Sequence, residues 1–376
     1  MPVFIEASFL DAPRALLKNQ GVLAATLQKT AEAAAAGPLY SVTFHKAPVG
    51  GPNDYCSQAP YWWPDEQGRF VRRDGHFYPG RFLHHRADMA AMADASLTLA
   101  QAGYYLRRPE DALRAAELLR TWFIDPKTRM NPHLNHAQAI PGVCEGRSLG
   151  IIDTIHLLKV VHGAAYLSGP AELTDGLKDW FSAYLDWLMN SGFGRQERAY
   201  HNNHAAWWHV QAAAYAAFTG AWGLFDQCLE SFLDHVLPAQ LTEQGAFADE
   251  ITRADAMHYS LFNLDAFVLM AELAYVNGRG LVVWQAERGP GRSIRKAMDF
   301  LLPYLTDETP WPYTRIAPLP PGLLPLQLGA LRLDAPEYRL ANRTLQKAKT
   351  SGEPLPACPI GALCLLPGFD PVEERP

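Results

Sequence analysis

Apolar residues recur every three or four positions through most of the chain, the spacing of one face of an α-helix. The stretch 86–106, RADMAAMADASLTLAQAGYYL, carries this pattern most clearly. The same period predicts a helix over 8–36, with Pro13 early and an alanine-rich end. Another is predicted over 109–123, where Pro109 stands at the first turn, a position in which its missing N–H costs nothing. Further helices are expected over 147–167, 171–191, 204–219, 221–236, 260–277, 291–305 and 336–348. Short turns such as Gly169-Pro170 and Thr219-Gly220 join several of these, so consecutive helices should pair as hairpins. Three stretches lack the pattern: 37–85, rich in Gly, Pro, Trp and Tyr; 124–146; and 307–335, where WPYTR is followed by prolines. Long loops in a helical chain are where binding groups are commonly carried. The expected class is all-α, an incomplete (α/α) toroid of helical hairpins with long cleft-lining loops. No shift in composition divides the chain, so 1–376 is expected to form a single domain.

The composition fits that expectation and narrows the partners. Hydrophobic residues make up 48% of the 376 and charged residues 19%, which is ample apolar material for a large core. The formal net charge of −6 argues against a nucleic-acid partner. One short stretch is nevertheless basic, with Arg69, Arg72, Arg73, His76, Arg81, His84, His85 and Arg86 close together. An acidic protein with such a patch can still hold an anionic polymer. Ten Trp, fifteen Tyr and seventeen Phe supply rings for the core and for stacking on sugars. The five cysteines are scattered without a CxxC pair, which excludes a zinc ribbon; Cys358 and Cys364 are spaced so that they could bridge or stay free. No segment reads as a membrane span, and the first twenty residues lack a basic region followed by an apolar one, which leaves export open.

Four groups of residues carry candidate chemistry. The first is Tyr200-His201-Asn202-Asn203-His204, placed where the 204–219 helix should begin. Asn202 or Asn203 suits an N-cap, and two amides with an imidazole at the positive end of a helix suit an anion such as a sugar carboxylate. The second is Glu250–Tyr259, EITRADAMHY. Tyr259 is a candidate acid and base, Arg253 six residues earlier can favour its phenolate, and His258 adjoins it. The third is Tyr61-Trp62-Trp63-Pro64-Asp65 with Arg72 and Arg73 after it, rings beside guanidiniums that fit a sugar-acid subsite. In the fourth, NPHLNHAQ with Glu145-Gly146-Arg147, Gln138 and Arg147 are candidate donors. His133 with His136, or His201 with His204, lacks a third ligand at metal-like spacing, so neither a metal nor a cofactor is expected. A hydrolase would instead need two carboxylates across the bond, for which Glu145, Asp249, Glu250 and Asp255 are available, and a non-catalytic polysaccharide-binding protein would need none of this chemistry.

The order of these motifs resembles the alginate lyase superfamily of polysaccharide lyases: YWWPD with VRRDG, AQAIPG with GR, NNH before an aromatic, then R-x4-HYSLFNL and WPY. The resemblance spans roughly residues 50–315. RADAMHYSLFNL is closer to the glucuronan lyases of polysaccharide lyase family 38, and NNH with the Tyr helix is shared with the mannuronate-specific lyases of family 5. The resemblance implies an (α/α) toroid that cuts a 4-linked uronate polymer by β-elimination. It implies that Asn203 and His204 neutralise the uronate carboxylate, that Tyr259 is base and acid, and that Arg253 assists. Substrate binding is expected at Trp62, Trp63, Arg72, Arg73, Gln138, Arg147, Asn202, His258 and Tyr313. The sequence departs from the family pattern at Asp255, where a second Arg is common, and at Ala205, where a small polar residue or Gly follows NNH.

Overall fold

The computed structural model describes residues 3–4, 21–167, 171–306, 309–320 and 322–347. Most of them are helical, as the apolar period predicts. In chain order the helices are α1 (Gly21–Ala35), α2 (His84–Tyr105), α3 (Pro109–Phe123), α4 (Leu157–Gly163), α5 (Ala171–Asn190), α6 (Gly192–Arg198), α7 (Asn203–Thr219), α8 (Trp222–Ser231), α9 (Leu237–Gln240), α10 (Ala256–Ala274), α11 (Ile294–Leu305), α12 (Leu324–Arg332) and α13 (Pro336–Lys347). The strands are short: β1 (Cys56–Gln58), β2 (Trp62–Pro64), β3 (Phe70–Arg72) and β4 (His136–Ala139).

The helix over 109–123 has the bounds expected for it, with Pro109 in its first turn and Glu110 and Asp111 beside the positive end of its dipole. Three expectations need correction. Residues 147–167 are not one α-helix. They form a tight 3₁₀ segment, Ser148–His156, before α4, because Gly150 presses against Ala137 so closely that a Cβ there would overlap it. Residues 221–236 break from α8 into a wide turn, Phe232–Val236, because Pro238 cannot donate to the carbonyl a turn behind it. The stretch 307–335 was expected to lack helix, yet it contains α12. Pro325 sits in the first turn of α12, where proline suits a helix, and Leu324, Leu326, Leu328 and Ala330 are buried. The expected helix over 8–36 is seen from Gly21 on. Its earlier part, the Gly169-Pro170 turn and the Cys358–Cys364 pair lie outside the described residues.

The contacts group the described chain into two compact units. One runs through Tyr200 and takes in Ala214–Phe225; the other holds His201–Ala213 and the residues from Asp226 on. In the first unit α2 packs on α1, α3 and α4, and α3 packs on α5. Its core has an aromatic seam in which Trp180 meets Phe123 and Phe181 edge-on and Tyr215 lies against Phe181 at 5.0 Å. Trp180 also donates from Nε1 to the Met130 carbonyl at 2.7 Å, so its polar edge is satisfied while its ring is buried. In the second unit α10 is central. The helical run Ala256–Arg279 that begins with it is long and apolar enough to cross a membrane, and most of that run is buried. Phe267 lies between Phe232 and Phe247 at 4.9 and 5.0 Å, and α11 and α12 pack alongside. Arg332 of α12 clamps the buried Glu272 of α10 with two hydrogen bonds, 3.0 and 2.6 Å, and lies 3.7 Å over the Tyr275 ring. Removing either partner of such a pair would leave a charge stranded in the core.

Candidate active site

The second unit holds the Asn-Asn-His and Arg/Tyr groups together. Asn202 precedes α7, and its Oδ1 accepts from the His204 N–H at 3.1 Å, so Asn202 is the cap of the helix. Gln240 holds the cap residue in place by donating from Nε2 to the Asn202 carbonyl at 2.7 Å, and Asn263 of α10 donates to Gln240 Oε1 at 2.8 Å. Asn203 does different work. Its backbone N–H and its Nδ2 both donate to Glu250 Oε1, each at 2.7 Å. Both side chains are buried, and one amide hydrogen of Asn203 is committed to that carboxylate. Burial pushes the Glu250 carboxyl above its ordinary value, while the Asn203 hydrogen bonds and the charges of Arg253 and His204 pull the other way. Glu250 Oε2 is buried with no hydrogen-bond partner. His204 remains half-buried.

The segment after Glu250 positions the arginine and the tyrosine. Asp255 caps α10, accepting from the His258 N–H on Oδ1 at 3.5 Å, and its Oδ2 accepts from the Ala317 N–H at 2.8 Å. A cap there explains why this chain has an aspartate where an arginine is common. Tyr259 lies in the first turn of α10, half-buried, and the Arg253 guanidinium carbon sits 3.7 Å from the centre of its ring. This is a stack on the ring face, with attraction between the cation and the negative face of the π-system. The Arg253 carbonyl accepts from Thr314 Oγ1 at 2.7 Å. His258 is exposed and stacks parallel to Phe262 at 6.3 Å. Ala205 is fully buried in α7, where its methyl is core material.

The first unit holds the other expected residues in two places. Trp62 and Trp63 lie on β2, paired antiparallel with β3 so that Trp62 faces Arg72 and Trp63 faces Val71. Arg73 lies over the Trp63 ring at 5.3 Å, Trp63 Nε1 donates to the His76 carbonyl at 2.8 Å, and Arg72 pairs with Asp74 at 2.9 Å. Gln138 and Arg147 meet elsewhere in this unit. Strand β4 runs parallel to β1 with an irregularity between Cys56 and Gln58, and opposite it Gln138 has φ +49°, a conformation a glutamine rarely adopts. Three hydrogen bonds hold it there. Its N–H donates to Ser57 Oγ at 2.8 Å, and Arg147 donates to its carbonyl at 3.1 Å and to its Oε1 at 2.6 Å. Behind Ser57 stands a group the sequence reading missed, Asp153. It is buried and accepts from Ser57 at 2.6 Å and from Tyr55 at 3.1 Å, with Arg86 at 3.3 Å. Burial pulls the Arg147 guanidinium below its ordinary value. His133 and His136 turn Nε2 toward Asp54, at 3.2 and 3.6 Å.

Two of the carboxylates a hydrolase would need are otherwise engaged: Glu250 holds Asn203 and Asp255 caps α10, while Glu145 is exposed and lies 3.9 Å from His136. The second unit thus brings an imidazole, two amides, and an arginine lying on a tyrosine ring onto one helical scaffold. A family model for alginate lyases matches residues 43–311, and the chain belongs to that family. Among solved structures, an alginate lyase from Bacteroides ovatus is similar at 26% identity, with a TM-score of 0.85 over 98% of this chain and 99% of that one. Alginate lyase A1-III from Sphingomonas species A1 shares the fold at 16% identity and a TM-score of 0.51, covering 84% of this chain and 88% of its own. A variant of A1-III complexed with a tetrasaccharide matches at 17% identity and a TM-score of 0.55, covering 91% and 94%. A search of the curated proteins finds no match.

Proposed function

We propose that this enzyme cleaves a 4-linked polymer of hexuronic acid, β-1,4-glucuronan or the polymannuronate of alginate, by β-elimination, with Tyr259 as the proton-transfer group. The observation that carries this reading is the Arg253–Tyr259 stack at 3.7 Å, in the same unit as the Asn202–His204 helix start. The proton on C5 of a uronate is barely acidic while its carboxylate is charged. The remaining amide hydrogen of Asn203, the imidazole of His204 and the charge of Arg253 supply stabilisation for the enolate-like dianion that forms when that proton leaves. Tyr259 takes the C5 proton and gives one to the departing O4. Electrons from the C5–H bond form the C4–C5 double bond as the C4–O4 bond breaks. In β-linked glucuronate and mannuronate, which differ only at C2, H5 and O4 lie on one face of the ring, so one phenol can serve both steps. In guluronate, the C5 epimer, they lie on opposite faces and two groups would be needed. One tyrosine therefore suits glucuronan or polymannuronate.

In the first unit, Trp62, Trp63, Arg72 and Arg73 fit the faces and carboxylates of uronate rings, and the Gln138–Arg147 pair offers a further set of donors. Asn202 and His258 border the chemistry in the second unit. The test is ultraviolet absorbance of the unsaturated uronate during incubation with glucuronan, polymannuronate, polyguluronate, hyaluronan and polygalacturonate. A rise with glucuronan or polymannuronate is expected, and Tyr259→Phe should lower kcat at least a hundredfold while the polymer still binds. Retained turnover in that variant would remove Tyr259 from its role. A flat trace accompanied by new reducing ends would replace elimination with hydrolysis.

A further inference from the structure

The second unit contains a cavity of about 450 Å³ lined by Tyr304, Thr309, Pro310, Trp311, Tyr313 and Arg315. We infer that it is a subsite for one hexuronate residue of the substrate chain, beyond the residue whose bond is cut. The volume falls within the range of small-molecule pockets, roughly 300–1,000 Å³. The walls are built of rings. Trp311 meets Tyr304 at 4.9 Å and Tyr313 at 5.1 Å, both edge-on, and Phe300 backs the group at 5.7 Å from Tyr304. The indole is fixed in orientation, since its Nε1 donates to the Thr314 carbonyl at 3.2 Å. Edge-on packing leaves ring faces for a pyranose to stack on, and Tyr313 is 39% exposed, high for a large aromatic side chain.

Arg315 supplies the selection for charge. It is exposed and makes no ion pair with any described residue, so its two-pronged guanidinium is available to a carboxylate. Rings with one unpaired guanidinium favour a sugar acid over a neutral sugar. The cavity is also joined to the chemistry. Thr314, between Tyr313 and Arg315, holds the Arg253 carbonyl, and Ala317 is held by the cap residue of the Tyr259 helix. A polymer engaged at Tyr259 has further sugars to place, and this loop offers a place for one of them within the same unit.

The inference rests on the polyuronate lyase reading, and the experiment separates the two. The full-length enzyme is first tested for formation of the unsaturated product from polyuronates; a flat trace on all of them removes the substrate and with it this subsite. With an active enzyme, kcat/KM is measured on a graded series of oligouronates for the parent, Trp311→Ala and Arg315→Gln. The ratio of kcat/KM on the longest oligomer to that on the shortest one cleaved should fall about tenfold in both variants, mainly through KM. An equal loss at every length, or no loss at any, overturns the inference even though the enzyme is a lyase. Arg315 is exposed, so Arg315→Gln carries the test if Trp311→Ala does not fold. Arg315→Lys should recover part of the ratio, since it keeps the charge and loses the fork.

Discussion

Glu250 holds Asn203 from within the core. Its Oε1 receives the backbone N–H and one amide hydrogen of Asn203, and its burial raises the carboxyl's affinity for a proton. Glutamine at this position keeps an oxygen for the same two donors, whereas alanine leaves them buried and unpaired. Glu250→Gln should therefore keep the unfolding free energy within about 1 kcal/mol and lose activity modestly. Glu250→Ala should cost about 1–3 kcal/mol and most of the activity. Urea unfolding with steady-state rates on the two proteins checks this, and similar behaviour of the pair would mean that the hydrogen-bond acceptor does not matter. Asn203 itself stood out in the sequence, because capping accounts for one polar residue at a helix start and not for three in a row. Its partner did not stand out, because Glu250 lies 47 positions away and nothing local marks which of several acidic residues is turned inward.

At the scale of elements, what was readable was what depends on neighbours in sequence. The helix over 109–123 could be bounded from Pro109 and its apolar period. The parallel pairing of β1 with β4 could not, because strands of three and four residues show no period and their partners are some eighty positions apart. α12 was hidden by the prolines around it, one of which sits where a helix tolerates it. The strained turn at Gln138 was equally silent in sequence, and it yields a prediction. Ser57→Ala removes the acceptor for the Gln138 N–H and one donor to Asp153. Backbone strain of this kind persists only where the surroundings enforce it, at about 1–3 kcal/mol. The variant should raise KM on the preferred polyuronate several-fold with a smaller change in kcat, and unchanged kinetics would show that Gln138 needs no such support. Separately, Asp255→Ala should cost about 1 kcal/mol through the lost cap, read as a lower thermal midpoint.

For the whole molecule, all-helical architecture followed from periodicity, while the grouping of the chain into units did not, since it turns on contacts that no local pattern announces. Global stability should carry a mark of buried titratable groups. His162 of α4 is buried against the Tyr166 hydroxyl, and burial pulls its pKa down to about 3. The unfolded chain takes up this proton near pH 6.5 and the folded chain does not. The contribution of His162 is therefore complete above about pH 6.5 and is lost as pH falls toward 3. Asp265 acts in the opposite direction, because burial raises its carboxyl to about 7 and the folded chain binds that proton first. The two can be separated by difference. Relative to the parent, His162→Phe should gain up to about 1.4 kcal/mol per pH unit below 6.5, seen by urea unfolding at several pH values. A constant gap between the two proteins would show that His162 is charged when folded.

The guanidinium lying on the Tyr259 ring has one more consequence, which concerns time. An aromatic ring with a planar group pressed on one face at 3.7 Å has little freedom to rock or turn over, so its two edges should exchange slowly. The hydroxyl proposed to move the proton then holds one direction between one bond and the next. Its alignment is settled once, when the chain folds, and need not be found again by each sugar that arrives.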